Sequence, residues 1–278
     1  MFHSFLKQIS SFQAFILFKI FLTTCFFSIN SFAVLISQPS SYLKEETTQL
    51  KDGVEWTRLI YSDLFDTKQV INIVEIDLTK AQILPLHTQG CKRLSQIATK
   101  QKALAAINGT FFDSDCSSKN FLKINGTTHS KNIIRKKGSI ALLINKKGKA
   151  SMEIISAKAD SKKAIHGIGG FPQLLSQGAV RLKPLENTDF FNDRHPRSAI
   201  AMTNSQHLAF ITVDGRSQKS YGFTLLELAT FLQEYGFIQA MNMDGGGSTT
   251  LWSNDFGTIN SPSDFFGERP VSDGLGVF

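Results

Sequence analysis

The run TLLELATFLQEYGFIQAMNMDGGGSTT, Thr224–Thr250, passes from a helix signal to a strand signal to a glycine triplet without a break. Thr224 and Glu227 form a capping-box pattern, and Leu225, Leu228, Ala229 and Leu232 share one helical face. Gly236 supplies a C-terminal stop, so the spacing predicts a helix over Leu225–Tyr235. Phe237–Met243 is apolar enough for a buried strand, and it halts at Asp244-Gly245-Gly246-Gly247. Adjacent glycines are entropically costly to order, so something must come close to this backbone. A tight turn and a bound ligand are the two readings.

Outward from this run the pattern is mostly strand. Val54, Trp56, Leu59 and Tyr61 open an alternation, and Val70–Leu78 continues it. Ser139–Asn145 and Met152–Ile155 flank Lys146-Lys147-Gly148 as a hairpin, and His207–Val213 runs into Asp214-Gly215-Arg216. Leu94–Thr99 repeats the L-x-x-[IL]-A-T spacing of Leu225–Thr230, and each predicted helix precedes an apolar strand ending on Asn-Gly or Asp-Gly. The echo puts Asn108 and Asp244 at equivalent strand ends. The expectation is a single α+β domain over residues 53–278, with a mixed β-sheet core and a few flanking helices.

The amino terminus is different material. Met1–Ala33 has Lys7 and Lys19, no acidic residue and many phenylalanines. Its apolar stretch Ile20–Ile29 suits a signal-peptide core and is too short to span a bilayer. Ser31-Phe32-Ala33 places small residues where a signal peptidase reads, which predicts cleavage after Ala33. An uncleaved anchor is the alternative, because Phe12–Phe18 is also apolar. Residues 34–52 read as a polar lead-in. The expected protein is secreted or periplasmic, with no stable membrane span after cleavage.

Cleavage lowers the net charge from +7 to +5, since the segment carries two cations and no anion. That balance suits anionic glycans or phosphorylated substrates, and also plain solubility. Lys131, Lys136, Lys137, Lys146, Lys147 and Lys149 are scattered without interleaved aromatics, which argues against a nucleic-acid partner. Cys91 and Cys116 remain after cleavage. An exported chain favours a disulfide closing a loop of about 25 residues, worth about 3 kcal/mol; two free buried thiols are the alternative.

There is no G-x-S-x-G elbow, H-E-x-x-H or Walker A. Four segments carry the chemistry. Asn108-Gly109-Thr110-Phe111-Phe112-Asp113 ends a buried strand with an amide and two aromatics, although Asn-Gly is also a hairpin turn. Gly167-Ile168-Gly169-Gly170-Phe171-Pro172 bends the backbone, as any loop could. Arg194-His195-Pro196-Arg197 could fork around a phosphate or carboxylate, or lie on the surface. In Asp244–Thr249 the N–H groups of Gly245, Gly246, Gly247 and Ser248 could cradle an oxyanion, with Ser248 and Thr249 adding hydroxyls. Asp244 could be nucleophile, base or metal ligand, and Asn108, Asp113 and Asp244 together could hold a divalent cation.

Taken in order, these segments resemble the phosphodiester glycosidase family. The likeness runs through Asn108–Phe112, Gly169–Pro172, Arg194–Ala199, Asp214–Arg216, Asn242–Thr250 and Glu268-Arg269-Pro270-Val271, covering about Asn72–Phe278. Thr110 and the interposed Phe171 depart from the pattern. The resemblance implies hydrolysis between an anomeric carbon and a phosphodiester oxygen, on a phosphorylated carbohydrate, with no required cofactor. It implies Asp244 at the anomeric centre, Asn108 orienting sugar or water, and Glu268 as a reserve carboxylate. Arg194, Arg197 and Arg216 would hold phosphate, beside Gly109, Gly170 and Asp214, and Phe111 or Phe112 would wall the pocket. His195 is an acid or a structural histidine. A non-catalytic glycan-binding protein and a phosphodiesterase cutting P–O are the other readings.

Overall fold

The protein is described from a computed structural model, over residues 42–131, 139–155, 164–182 and 188–278. The signal-peptide expectation lies outside these residues. Three sheets build the domain. The largest runs in the order β1 (Tyr42–Lys51), β2 (Val54–Tyr61), β3 (Gln69–Asp77), β14 (His207–Val213), β13 (Arg197–Asn204), β15 (Gln239–Asn242), β11 (Gln173–Ser176) and β12 (Ala179–Val180). The second is β7 (Thr127–Lys131), β6 (Phe121–Ile124), β10 (Ala164–Gly170), β8 (Ile140–Asn145) and β9 (Ala150–Ile154). The third is β17 (Gly257–Thr258), β16 (Leu251–Ser253), β5 (Ala105–Asn108), β18 (Val271–Val277) and β4 (Ile83–Lys92).

Helices are few: α1 (Leu94–Gln101), the single-turn α2 (Asp189–Asn192) and α3 (Leu225–Tyr235). The fold is therefore mixed but mainly β, a correction to the α+β expectation. Strand pairings among the described residues are antiparallel. Tyr42–Lys51, expected as lead-in, pairs with β2 at the sheet edge. Its polar side chains are mostly exposed, so no buried face marks it in the sequence.

The central strands are buried on both faces, which explains their near-continuous apolar runs. Ile71, Ile73, Ala199 and Ile211 pack with Leu225, Leu228 and Leu232 of α3. Val74, Phe210 and Ile200 face the other way, into a core shared with Ile107, Leu142, Ile168 and Leu275 of the other sheets. Each such large side chain contributes about 1.5–3 kcal/mol relative to exposure. Helix α3 starts where the capping box predicts: the Thr224 hydroxyl accepts from Glu227 N, and Glu227 accepts from Thr224 N. It stops at Gly236, whose φ of 102° suits glycine. Cys91 of β4 is disulfide-bonded to Cys116, with the Cα atoms 5.4 Å apart. No helix among the described residues is long and apolar enough to cross a membrane.

Candidate active site

Two strand ends from different sheets meet here, so the sequence echo is a spatial one. Strand β5 ends at Asn108, and the chain leaving β15 reaches Asp244 two residues on. Asn108 Nδ2 donates to the main-chain oxygen of Asp244 at 2.7 Å. Its Oδ1 accepts from Ser198 Oγ at 2.7 Å and from Thr250 N at 3.0 Å. The side chain is fully buried. Asn108 therefore positions the loop and is not placed to touch a substrate.

The glycine triplet is pressed by the protein's own groups. A Cβ on Gly245 would stand 2.8 Å from the Pro196 oxygen, and one on Gly246, which has φ 60°, 3.2 Å from Arg216 Nη2. On Gly247 it would strike Asp264 Oδ1 at 2.0 Å and Arg269 Nη2 at 2.2 Å. The N–H groups are largely engaged as well. Gly246 N donates to Pro196 O at 2.8 Å and Ser248 N to Gly245 O at 3.1 Å, while Gly245 N bonds the Asp244 carboxylate. The expected backbone cradle is thus replaced by two guanidiniums laid against the turn. Ser248 and Thr249 lie fully buried beneath it.

Arg216 is exposed, and its backbone sits at φ 59°, a left-handed conformation costly for arginine. Its Nη2 lies 3.4 Å from His195 Nδ1. Burial, Arg197 and Arg216 all push the His195 pKa down, so the imidazole is held neutral beside the guanidinium. Arg269 is fixed by a fork to Asp264, Nε to Oδ2 at 2.8 Å and Nη2 to Oδ1 at 3.0 Å. Both partners stay partly exposed.

Asp244 is itself partly exposed. Burial raises its pKa to about 6, against the opposing pull of Ser248, Arg269 and the Gly245 N–H, and Asp273 adds to the rise. Asp273 is a second carboxylate, fully buried on β18. It accepts from Thr110 N at 2.8 Å, Thr110 Oγ1 at 2.6 Å and Ser272 Oγ at 2.6 Å, and burial raises its pKa too. Thr110 thus has a use for its hydroxyl. A Cβ on Gly109 would lie 1.9 Å from Asp273 Oδ1, so only glycine fits there.

The remaining expected site residues are scaffold. Arg194 donates through Nε to Glu227 Oε1 at 3.0 Å and Oε2 at 3.1 Å, and through Nη2 to Phe65 O. Arg197 is 2% exposed and donates to the carbonyls of Phe223 at 2.7 Å and of Phe190 and Asp193 at 2.9 Å. Burial lowers its pKa to about 10, which leaves it charged at neutral pH. The buried carboxyl of Asp214, with its pKa raised by burial to about 6, accepts from Ser261 N at 2.9 Å. Glu268 accepts from Ser95 N at 3.0 Å and from Thr258 Oγ1, and so caps α1. Gly170 admits the Asn242 oxygen, 2.5 Å from its would-be Cβ.

Phe111 packs toward Phe190 with centroids 5.9 Å apart, whereas Phe112 joins the cluster around Trp252. Asp113 pairs with Lys119 and the Asn108 side chain is engaged elsewhere, so the proposed cation triad is not assembled. Among the described residues no group of three or more His, Cys, Asp or Glu is placed to hold a metal ion. The structure brings together Asp244, Arg216, His195 and the glycine turn. It adds Arg269, Asp264 and Asp273, which sequence reasoning left out. Arg269 stood inside a quoted motif, and Asp273-Gly274 repeats the Asp-Gly pattern of Asp244-Gly245.

Asp244 and two guanidiniums gather at one glycine turn between converging strand ends of a mainly β scaffold. The sequence pattern of the phosphodiester glycosidase family matches residues 101–278, and the chain belongs to that family. It is 40% identical over 87 residues to the SPbeta prophage-derived protein YomE of Bacillus subtilis, covering 31% of this chain and 13% of that protein. It is 38% identical over 76 residues to the Bos taurus N-acetylglucosamine-1-phosphodiester alpha-N-acetylglucosaminidase, covering 27% of this chain and 14% of that one. The matched stretches thus span about a seventh of these relatives. The catalytic domain of the zebrafish enzyme of the same name superposes with a TM-score of 0.67 at 22% identity, over 84% of this chain and 88% of that domain. That likeness shows the shared fold.

Proposed function

We propose that this chain is an exported hydrolase that cuts the glycosidic C–O bond of a sugar-1-phosphodiester, releasing free sugar and a phosphomonoester. The observation that carries the reading is Asp244 at the edge of a turn against which Arg216 and Arg269 both lie. The departing phosphomonoester has a second pKa near 6, so it leaves without needing a proton. A second carboxylic acid, required for ordinary glycosides, has little to do here. What the reaction demands is positive charge at the phosphate and one ionised carboxylate at the anomeric carbon. Arg216 and Arg269 supply the first. Asp244 supplies the second, as nucleophile or as base for water, once the pH exceeds about 6.

The test is release of free sugar from a panel of N-acetylglucosamine-1-phosphodiesters by wild type and Asp244→Asn, with and without EDTA, in 18O-labelled water. The expected result is label in the sugar and loss of turnover in the variant. Label in the phosphate instead would show P–O cleavage. Binding without any turnover by the wild type would leave a glycan-binding protein, and loss on EDTA addition would bring in a divalent cation.

A further inference from the structure

His87 of β4 and His129 of β7 bring two imidazoles together from two different sheets, with ring centroids 5.0 Å apart and planes tilted by 57°. Both residues sit at irregularities in their ladders. On β7, Ser130 opposes Leu122 and Thr128 opposes Lys123, so His129 is the extra residue of a bulge, a device that re-aims a side chain. On β4, His87 pairs with Asp273, after which the strand bulges and pairing returns only at Lys92. His129 is exposed and His87 half-buried, so solvent reaches the pair. Other groups hold the two strands in place. Gln101 Nε2 at the end of α1 donates to His87 O at 3.0 Å, and Cys91 of β4 is bonded to Cys116. Ser130 Oγ, next to His129, donates to Ser118 O at 3.1 Å. Cys116 and Ser118 thus brace both strands from one loop, and a ligand shared by the two rings needs little further ordering of the chain.

His87 Nδ1 lies 3.3 Å from Ser272 O. A carbonyl only accepts, so this contact puts the proton on Nδ1 and leaves the Nε2 lone pair for a ligand. Such a main-chain anchor is the usual partner of a metal-binding histidine. The spacing agrees as well. With Zn–N bonds of about 2.0–2.1 Å, two imidazoles on one tetrahedral ion hold their centroids about 5 Å apart. Other occupants fit worse. Mg2+ and Ca2+ take oxygen ligands. An anion would need protonated rings and would meet Asp273, the cross-strand partner of His87. We propose that His87 and His129 bind a late first-row divalent ion such as Zn2+, which clasps the second sheet to the third. With two protein ligands, water completes the coordination.

The test is Zn2+ titrated into metal-free full chain at pH 7.5, followed by calorimetry and by the histidine ring signals in NMR, for wild type, His87→Ala and His129→Ala. One site is expected whose filling moves the His87 and His129 signals and raises the melting temperature by about 3 °C or more at saturation. Because His129 is exposed, His129→Ala is expected to leave the metal-free melting temperature unchanged. The same change is expected to weaken Zn2+ about tenfold or more, since even the outer partners of metal ligands count for that much. Mg2+ is expected to move neither signal. Zn2+ that shifts only other histidines, or that binds the His129 variant as tightly as wild type, overturns the site. Neither result depends on whether the chain hydrolyses any diester.

Discussion

The amide of Asn108 holds the main-chain oxygen of Asp244 at 2.7 Å, joining the last residue of a strand in one sheet to the turn that follows a strand in another. The same side chain accepts from Ser198 and Thr250. One buried amide thus fixes three segments, and the carboxylate of Asp244 inherits its placement from them.

Asn108→Ala leaves the Asp244 oxygen, the Ser198 hydroxyl and the Thr250 N–H without this partner in a dry interior. The expected cost is about 2–4 kcal/mol, since buried groups stripped of partners lose more than the bond itself was worth. Urea denaturation measures it. A loss under about 0.5 kcal/mol, within the usual range for surface changes, would refute the clamp.

Asp244 opposes stability and function. Its folded pKa of about 6 lies above the value near 3.9 of a free carboxylate. Between those values the folded chain holds a proton that the unfolded chain has released. Stability from this group is therefore greatest below pH 4, declines as the pH rises to 6, and is flat beyond. Turnover should run the other way, with an acid limb in kcat/KM near pH 6. Asp244→Asn is expected to stabilise the fold at pH 7.5 by about 1–3 kcal/mol and to lower turnover by about 10³-fold or more. A variant both less stable and fully active would contradict the assignment.

How far the sequence could be read depends on the range of the interactions involved. Helix α3 and strand β14 match their expected limits because a capping box, a glycine stop and residue alternation are local signals. Edge strand β1 is polar along its length, so nothing local distinguishes it from a coil. Strands of four residues such as β5 are too short to show a period. Asp244 and its glycines are legible in the sequence as a candidate site, whereas the surroundings of the arginines are not. Arg194 and Arg197 look alike in sequence, and what disposes of them is Glu227 on α3 and three carbonyls from Phe190, Asp193 and Phe223. Asp273 was passed over because an acid in an apolar strand advertises no partner until Thr110 is folded against it.

The two kinds of arginine should separate experimentally. Arg216→Ala removes an exposed guanidinium at the turn, so KM for a sugar-1-phosphodiester is expected to rise about tenfold or more, the scale of one charge-assisted contact, with the melting temperature nearly unchanged. Arg194→Ala removes the fork to Glu227 and is expected to lower the melting temperature while KM stays within about twofold. Kinetics and calorimetry on both variants check the division. A KM effect confined to Arg194 would reverse it.

Gly247 tests why three side chains are missing in a row. A methyl group there would fall 2.0 Å from Asp264 Oδ1 and 2.2 Å from Arg269 Nη2, so the ion pair must swing away. The pair is partly exposed and sits on side chains rather than packed backbone, so Gly247→Ala is expected to cost about 1 kcal/mol in stability, in line with an ordinary point change. If Arg269 holds the phosphate as proposed, the effect on turnover is expected to be larger, because Arg269 loses its position against the turn. Gly109→Ala is the contrasting case: its methyl group meets Asp273 Oδ1 at 1.9 Å and that residue's main-chain carbon at 2.9 Å. Backbone cannot step aside, and a cost of about 3 kcal/mol or more is expected there, at the upper end for overpacking. Measuring turnover and denaturation for both separates a glycine that keeps an arginine in place from one that keeps the core closed. If Gly247→Ala retains full turnover, the close approach of Arg269 to this turn has no part in the reaction.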